Sequence, residues 1–280
     1  MGPQRRGARA SLAVLTVLAV GVVAHATVVS GLQHRSAQVR KLAALRASLA
    51  VGTAPISDTD ASGHGLAMGT PMALLQIPAA GIKEVVLEGT TSGVLMSGPG
   101  HRRGTPFPGQ PGSSIVFGRR AAYGGPFKEI GSLPPGAKIT VTTGQGVSIY
   151  KVIGVRRAGD PAPPPPAAGA GRLQLLTAAG TAFVPEGVLR VDADLVSDAF
   201  AGTPVGAGEL PPAERPLGTD PSTAWALVLW LQALVALVAG TTWAWLRWGH
   251  HPTWIAFGPP MVLVALAAMG QFVRLLPNVL

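Results

Sequence analysis

The sequence predicts a mostly β domain held between apolar spans, one before it and two after it. Three observations carry this. Seven short runs between Met72 and Val196, many of them β-branched, are bounded by Gly or Pro. Three stretches outside that interval are apolar over about 20 residues, the length that crosses a hydrocarbon core as a helix. The 280-residue chain is 48% hydrophobic and only 12% charged, a membrane-leaning balance.

Residues 1–10 form a basic tail with Arg5, Arg6 and Arg9, and residues 11–33 follow as an apolar run. Ala24-His25-Ala26 resembles a signal-peptide cleavage site. The run continues past it, so 11–33 reads as an uncleaved transmembrane anchor, with His25 near the far interface where its cost is small. Residues 34–71 read as a juxtamembrane helix and a linker. Val39, Leu42, Leu45 and Leu49 lie on one helical stripe among Arg35, Arg40, Lys41 and Arg46, which predicts a basic helix on lipid headgroups. Residues 51–71 are rich in Gly, Ser, Thr and Ala without period.

The expected strands are "ALLQIPA" (73–79), "KEVVLEG" (83–89), "SIVFG" (114–118), "KITVTT" (138–143), "VSIYKVIGV" (147–155), "RLQLLTA" (172–178) and "VLRVDADLV" (188–196). Their number and spacing suggest a closed or sandwiched β domain. Gly144 and Gly146 between two of them signal a hairpin. Residues 123–133 leave room for one short helix. Residues 157–171, with Pro163 to Pro166, form a stiff and then flexible loop.

Residues 200–222 repeat the linker texture, and two further spans follow at 223–247 and 253–276. Trp225, Trp230, Trp243 and Trp245 fit an interfacial belt. Pro259 and Pro260 should kink the last helix or start it late. His250 and His251 are an adjacent pair on a tight turn and read as solvated.

The net charge of +9 does not point to nucleic acid: the basic residues are scattered, and few aromatics accompany them as stacking platforms. Membrane lipid is the expected partner of the basic flanks. Zero cysteine excludes disulfides, thiolate metal sites and thiol catalysis.

The order "LLQIPAAGI", "GPGHRRGTPFPGQPGSSIVFGRR", "YGGPFKEIGSLPPGAKITVTT", "VSIYKVIGVR", "LQLLTAAG", "VLRVDADL" resembles the blocks of a sortase domain, most closely the actinobacterial class E-like sortases. The resemblance covers about 125 residues, 72–196 (as counted from the quoted blocks), plus the anchor. It implies an eight-stranded β-barrel with short helices on the outer face of a Gram-positive membrane. It also implies transpeptidation of a sorting signal by a Cys, a His and an Arg. Matched block by block, the His position is Arg119, the Cys position Ala178 and the Arg position Val188.

Each replacement removes a chemical role. Ala178 has no lone pair for a covalent intermediate, Arg119 stays protonated near neutrality, and Val188 donates nothing to an oxyanion. The expectation is therefore a degenerate sortase-like protein without catalytic residues. The other reading is an active enzyme with a non-Cys nucleophile. Arg120, Thr177, Arg190 and His101 are the groove candidates. Arg190 shares the facing of Val188 and either reaches part of the vacant site, is an exposed strand residue, or pairs with Asp192 or Asp194. Thr177, by strand parity, faces away from Ala178. His101 reads as a loop brace. Ser113, Ser114 and Thr181 are further hydroxyls near the site.

No cofactor and no metal are expected, since the loop that could hold calcium offers only Asp160. The expected partners are a peptide sorting signal, a cell-wall component or another membrane protein, with no nucleic acid. A count of Lys and Arg around the spans leans towards a cytoplasmic domain, whereas the resemblance places the barrel outside.

Overall fold

The computed structural model describes residues 29–59, 64–181, 184–203, 205 and 209–280. Most of the expected anchor, including His25, lies outside them. The chain divides into a barrel unit, Ser30–Thr219 with Pro277–Leu280, and a helical unit containing Asp220–Leu276.

The barrel has eight strands: β1 Pro71–Ile77, β2 Ile82–Glu88, β3 Gly100–His101, β4 Gly112–Phe117, β5 Lys138–Thr143, β6 Gly146–Arg156, β7 Gly171–Thr181 and β8 Val184–Leu195. It closes in the order β1-β2-β3-β4-β7-β8-β6-β5. Seven strands match the expected runs within a few residues. The eighth, β3, is two residues long and has no readable period. Closure leaves no unpaired edge among these strands, which settles barrel over sandwich. Inward-facing Leu75, Ile77, Val116, Ile139, Val141, Tyr150, Leu173, Leu175, Val191 and Ala193 fill the centre.

The β5–β6 hairpin turns through Gly144 and Gln145, with Thr143 opposite Gly146 at φ 136°. That dihedral suits only glycine. A 3-10 turn, Ile130–Ser132, is the one short helix of the 123–133 segment.

Helix α1, Ser30–Ala50, corrects the lipid-surface expectation for the stripe. Leu42, Leu45 and Leu49 pack against Leu74, Val85, Leu87 and Val94 of the barrel, and only Val39 is exposed. Gln38 locks the register, donating to Val85 O and Ser97 O and accepting from Val85 N at 2.7 Å. His34 pairs with Glu84 at 3.0 Å. A stripe of leucines is taken up by whichever apolar surface is nearest, and here that is the sheet.

Much of the segment after β8 is likewise bound to the barrel. Phe200 N donates to Gly109 O, Thr203 reaches Gln110 Oε1, and buried Glu214 forms an ion pair with Arg103. Linker composition describes its backbone, but side-chain and backbone polar groups anchor it.

In the helical unit, α3 (Ala224–Trp248) and α4 (His250–Arg274) are both long and apolar enough to cross a membrane. They are joined at Gly249, φ 78°. Helix α4 starts at His250 and runs through Pro259 and Pro260, so the late start does not occur. Trp245 and Trp254 meet edge to face across the turn at 6.3 Å.

Candidate functional site

The site lies where β4, β7 and β8 end together. Strands β4 and β7 run parallel with Phe117 beside Leu176, and Gly118 N continues the ladder to Leu176 O at 2.9 Å. The next positions, Arg119 and Ala178, are therefore neighbours. Ala178 is also the register partner of Val188 on antiparallel β8. The structure thus brings Arg119, Ala178 and Val188 together from positions far apart in the chain.

Facing follows from parity. Leu173, Leu175 and Ala179 point into the barrel core, so Gln174, Leu176 and Ala178 point outward. On β8, Leu189, Val191 and Ala193 point in, so Val188, Arg190 and Asp192 point out. The local sequence shapes the rim. A Cβ at Gly118 would overlap the Phe127 ring, so glycine lets the "YGGPF" loop close over the end of β4. Tyr123 within it takes a left-handed φ of 52°, held by Ser30 Oγ accepting from its N–H at 3.2 Å.

Arg119 is wholly buried. Its Nη2 donates to Ser92 O at 3.1 Å and Ser92 Oγ at 2.7 Å, and its Nη1 donates to the backbone oxygen of Leu280 at 3.2 Å. Ser92 opens the short helix α2, Ser92–Leu95. The guanidinium lies 5.3 Å from the Tyr123 ring centroid. Burial pushes its pKa down to about 10, partly opposed by Tyr123. It remains a cation at neutral pH and so cannot take a proton from a nucleophile.

Arg120 is at the rim. Its Nη1 donates to Ala178 O at 3.3 Å, and its backbone N donates to Val279 O at 3.0 Å. With Lys128, Arg157, Glu129 and Glu186 it lines an open cleft of about 500 Å³. Arg190 is partly buried. Its pKa is lowered, by burial first and then by Arg156, with Asp192 opposing. Its expected pairing with Asp192 or Asp194 does not form: Asp192 is taken by Arg156 at 2.6 Å and Asp194 by Arg172 at 2.6 Å.

Two groove candidates leave the groove. Thr177 has the parity of the core residues, is fully buried, and its Oγ1 has no partner among the described residues. His101 is buried on β3: Nδ1 lies 3.1 Å from Glu88 Oε2, and Nε2 lies 3.1 Å from both Pro106 O and Thr105 Oγ1. The contact of Thr105, His101 and Glu88 has the connectivity of a nucleophile, base and orienting acid. Its protons are placed otherwise. A carbonyl accepts only, so Nε2–H is the donor, and Thr105 gives its own proton to Arg102 O at 2.7 Å. No base is left for that hydroxyl, and the trio braces the 101–107 loop.

No group of three or more His, Asp or Glu suited to a metal occurs among the described residues. Asp160 accepts from Arg157 N at 2.6 Å.

A sortase-domain family model matches residues 75–164. The chain is 31% identical to sortase E from Streptomyces avermitilis, matched over all of that chain and 54% of this one, with a TM-score of 0.39. The barrel carries a sortase domain.

Two other solved sortases are similar. One is the sortase D5 transpeptidase of Clostridium perfringens, at 20% identity, 58% of this chain, 99% of that chain and TM-score 0.47. The other is sortase E1 of Streptomyces coelicolor with a tripeptide in its active site, at 22% identity, 47% of this chain, 91% of that chain and TM-score 0.41. Comparison with curated proteins finds no match. The family-model match ends at 164, before the two strands that carry Ala178 and Val188 in this sortase fold. Strand patterns do not reveal Ser92, Asn278, Val279 or Leu280 as site neighbours, because tertiary contact alone brings them there.

Proposed function

We propose that this is a membrane-anchored sortase-family protein that does not catalyse transpeptidation, and that its groove binds a peptide from a cell-surface or membrane partner. One observation carries the reading: the three side chains that converge at the ends of β4, β7 and β8 are Arg119, Ala178 and Val188. They supply no nucleophile and no general base, and the one donor among them, Arg119, is engaged by Ser92 and Leu280 O. In this reading residues 11–33 anchor the barrel from one side. The barrel, residues 72–199, is extracytoplasmic, and α3 and α4 cross and return.

The test is cleavage of a sorting-signal peptide by the purified chain, with and without an amine acceptor. The wild type gives no turnover, and neither does Ala178→Cys alone. A free thiol is only a few per cent thiolate at pH 7, and Arg119 cannot protonate the leaving amine. Any recovery needs Arg119→His and Val188→Arg together with Ala178→Cys. Wild-type turnover that disappears in Thr105→Val or Thr177→Val would show that the chemistry has moved to a hydroxyl. For orientation, protease added to intact protoplasts should degrade residues 72–196. Protection there, with 247–253 cleaved, would place the barrel in the cytoplasm.

A further inference from the structure

Segment Pro277–Leu280 belongs to the barrel unit, although it follows α4 directly in the chain. It sits at the converging strand ends. Asn278, Val279 and Leu280 are all buried, Leu280 at 4% exposure and the other two at 0%. The segment is a turn, closed by Leu280 N donating to Pro277 O at 3.2 Å. Its main-chain oxygens are read by the barrel: Val279 O accepts from Arg120 N at 3.0 Å, and Leu280 O accepts from Arg119 Nη1 at 3.2 Å. Asn278 is held more fully. Its N donates to Gly218 O at 2.9 Å, and its carboxamide Nδ2 faces Thr90 O at 2.8 Å, Arg215 O at 3.0 Å and Ala213 O at 3.3 Å.

These contacts have the form of a peptide-recognition site. A fully buried guanidinium and a backbone N–H take main-chain oxygens of two successive residues, and a ring of three carbonyls takes the amide of one side chain. An aspartate at 278 would face the same carbonyls without a donor, so the ring selects asparagine. Outward-facing Ala178 and Val188, 0% and 9% exposed, lie at the same strand ends.

We infer that the groove is a receptor for a short Pro-Asn turn peptide, and that the chain's own Pro277–Leu280 fills it as an intramolecular latch. This rests on the peptide-binding reading above and names the ligand class. A tethered ligand acts at a high effective concentration, so a peptide in solution must displace it. Two membrane crossings, α3 and α4, return the chain to the side it left, so the latch requires the segment and the barrel to share one side. Release of the latch then opens the site to a partner carrying the same turn.

The experiment uses the full-length chain in detergent and the fluorescent peptide Leu-Leu-Pro-Asn-Val-Leu. Three proteins are compared: wild type, a variant ending at Leu276, and full-length Asn278→Ala, each checked for a cooperative thermal transition. Both variants should bind the peptide at least about tenfold more tightly than wild type, and the same peptide with Asp in place of Asn should bind neither. If the shortened chain does not fold, Asn278→Ala decides alone. Equal affinity in wild type and folded variants, or no binding by any folded variant, overturns the latch. Turnover of a sorting-signal peptide by the wild type instead overturns the non-catalytic reading, so the two failures are told apart.

Discussion

The outer face of the β7–β8 pair has two ends of opposite character. At one end Arg172 pairs with Asp194, and Asp192 accepts from both Arg156 and Gln174. At the other end the outward residues Leu176, Ala178 and Val188 are all nearly or fully buried, and partly buried Arg190, opposite Leu176, stands between the two ends. The same two strands, in one continuous antiparallel register apart from one bulge at Ala178/Gly180, carry a satisfied polar network and an apolar wall. An outward strand position stays apolar and buried only when something covers it. The difference shows that this end of the pair is a covered surface. Arg119, Ser92 and the 277–280 turn provide its remaining hydrogen bonds.

The largest expected effect comes from making the covered end resemble the polar one. Leu176→Lys buries an ammonium opposite Arg190 and should cost on the order of 4 kcal/mol or more, seen as loss of the cooperative thermal transition of the full chain. A mild effect would mean the wall is open to water and the comparison is wrong.

Next comes the polar end. Asp192→Ala strips Arg156 and Gln174 of their acceptor and should cost about 3 kcal/mol, because a mostly buried guanidinium is left without its partner. Denaturant unfolding measures it.

Arg119 contributes through pH. Its pKa is lowered from the ordinary 12.5 to about 10. Below pH 10 folded and unfolded chains both hold the proton, and the burial penalty is fully present. Between the folded and unfolded values only the unfolded chain keeps it, so stability from this group rises with pH. From pH 9 to 11 the wild type should therefore gain about 1 kcal/mol on Arg119→Met. A constant difference across that range would show the guanidinium to be solvated. Asp194→Asn should cost below about 1 kcal/mol, since that carboxylate is 42% exposed and screened.

How much of this was legible beforehand differs from residue to residue. The strands from Lys138 to Thr143 and from Gly146 to Arg156 announce themselves by alternation and by Gly144 and Gly146. β3 does not, because two residues carry no period. Thr177 was separable from the groove by parity alone. His101 was nameable as a histidine near the site, but its partners Glu88 and Pro106 come from other segments, and only folding brings them within hydrogen-bond reach.

The sequence by itself determined what depends on local order: the strand runs, the apolar spans at 223–247 and 253–276, the absence of cysteine, and the replacement of three motif positions by Arg, Ala and Val. Those follow from side-chain periodicity and from identity at a position. Tertiary structure alone decided what depends on closure. It turned the α1 stripe onto the barrel, bound the segment after β8 through Glu214, and seated Asn278 against carbonyls from Thr90, Ala213 and Arg215. The physical reason is that a buried hydrogen bond or apolar contact is made with whatever the fold brings near, and nearness across up to 188 residues of chain leaves no trace in local pattern.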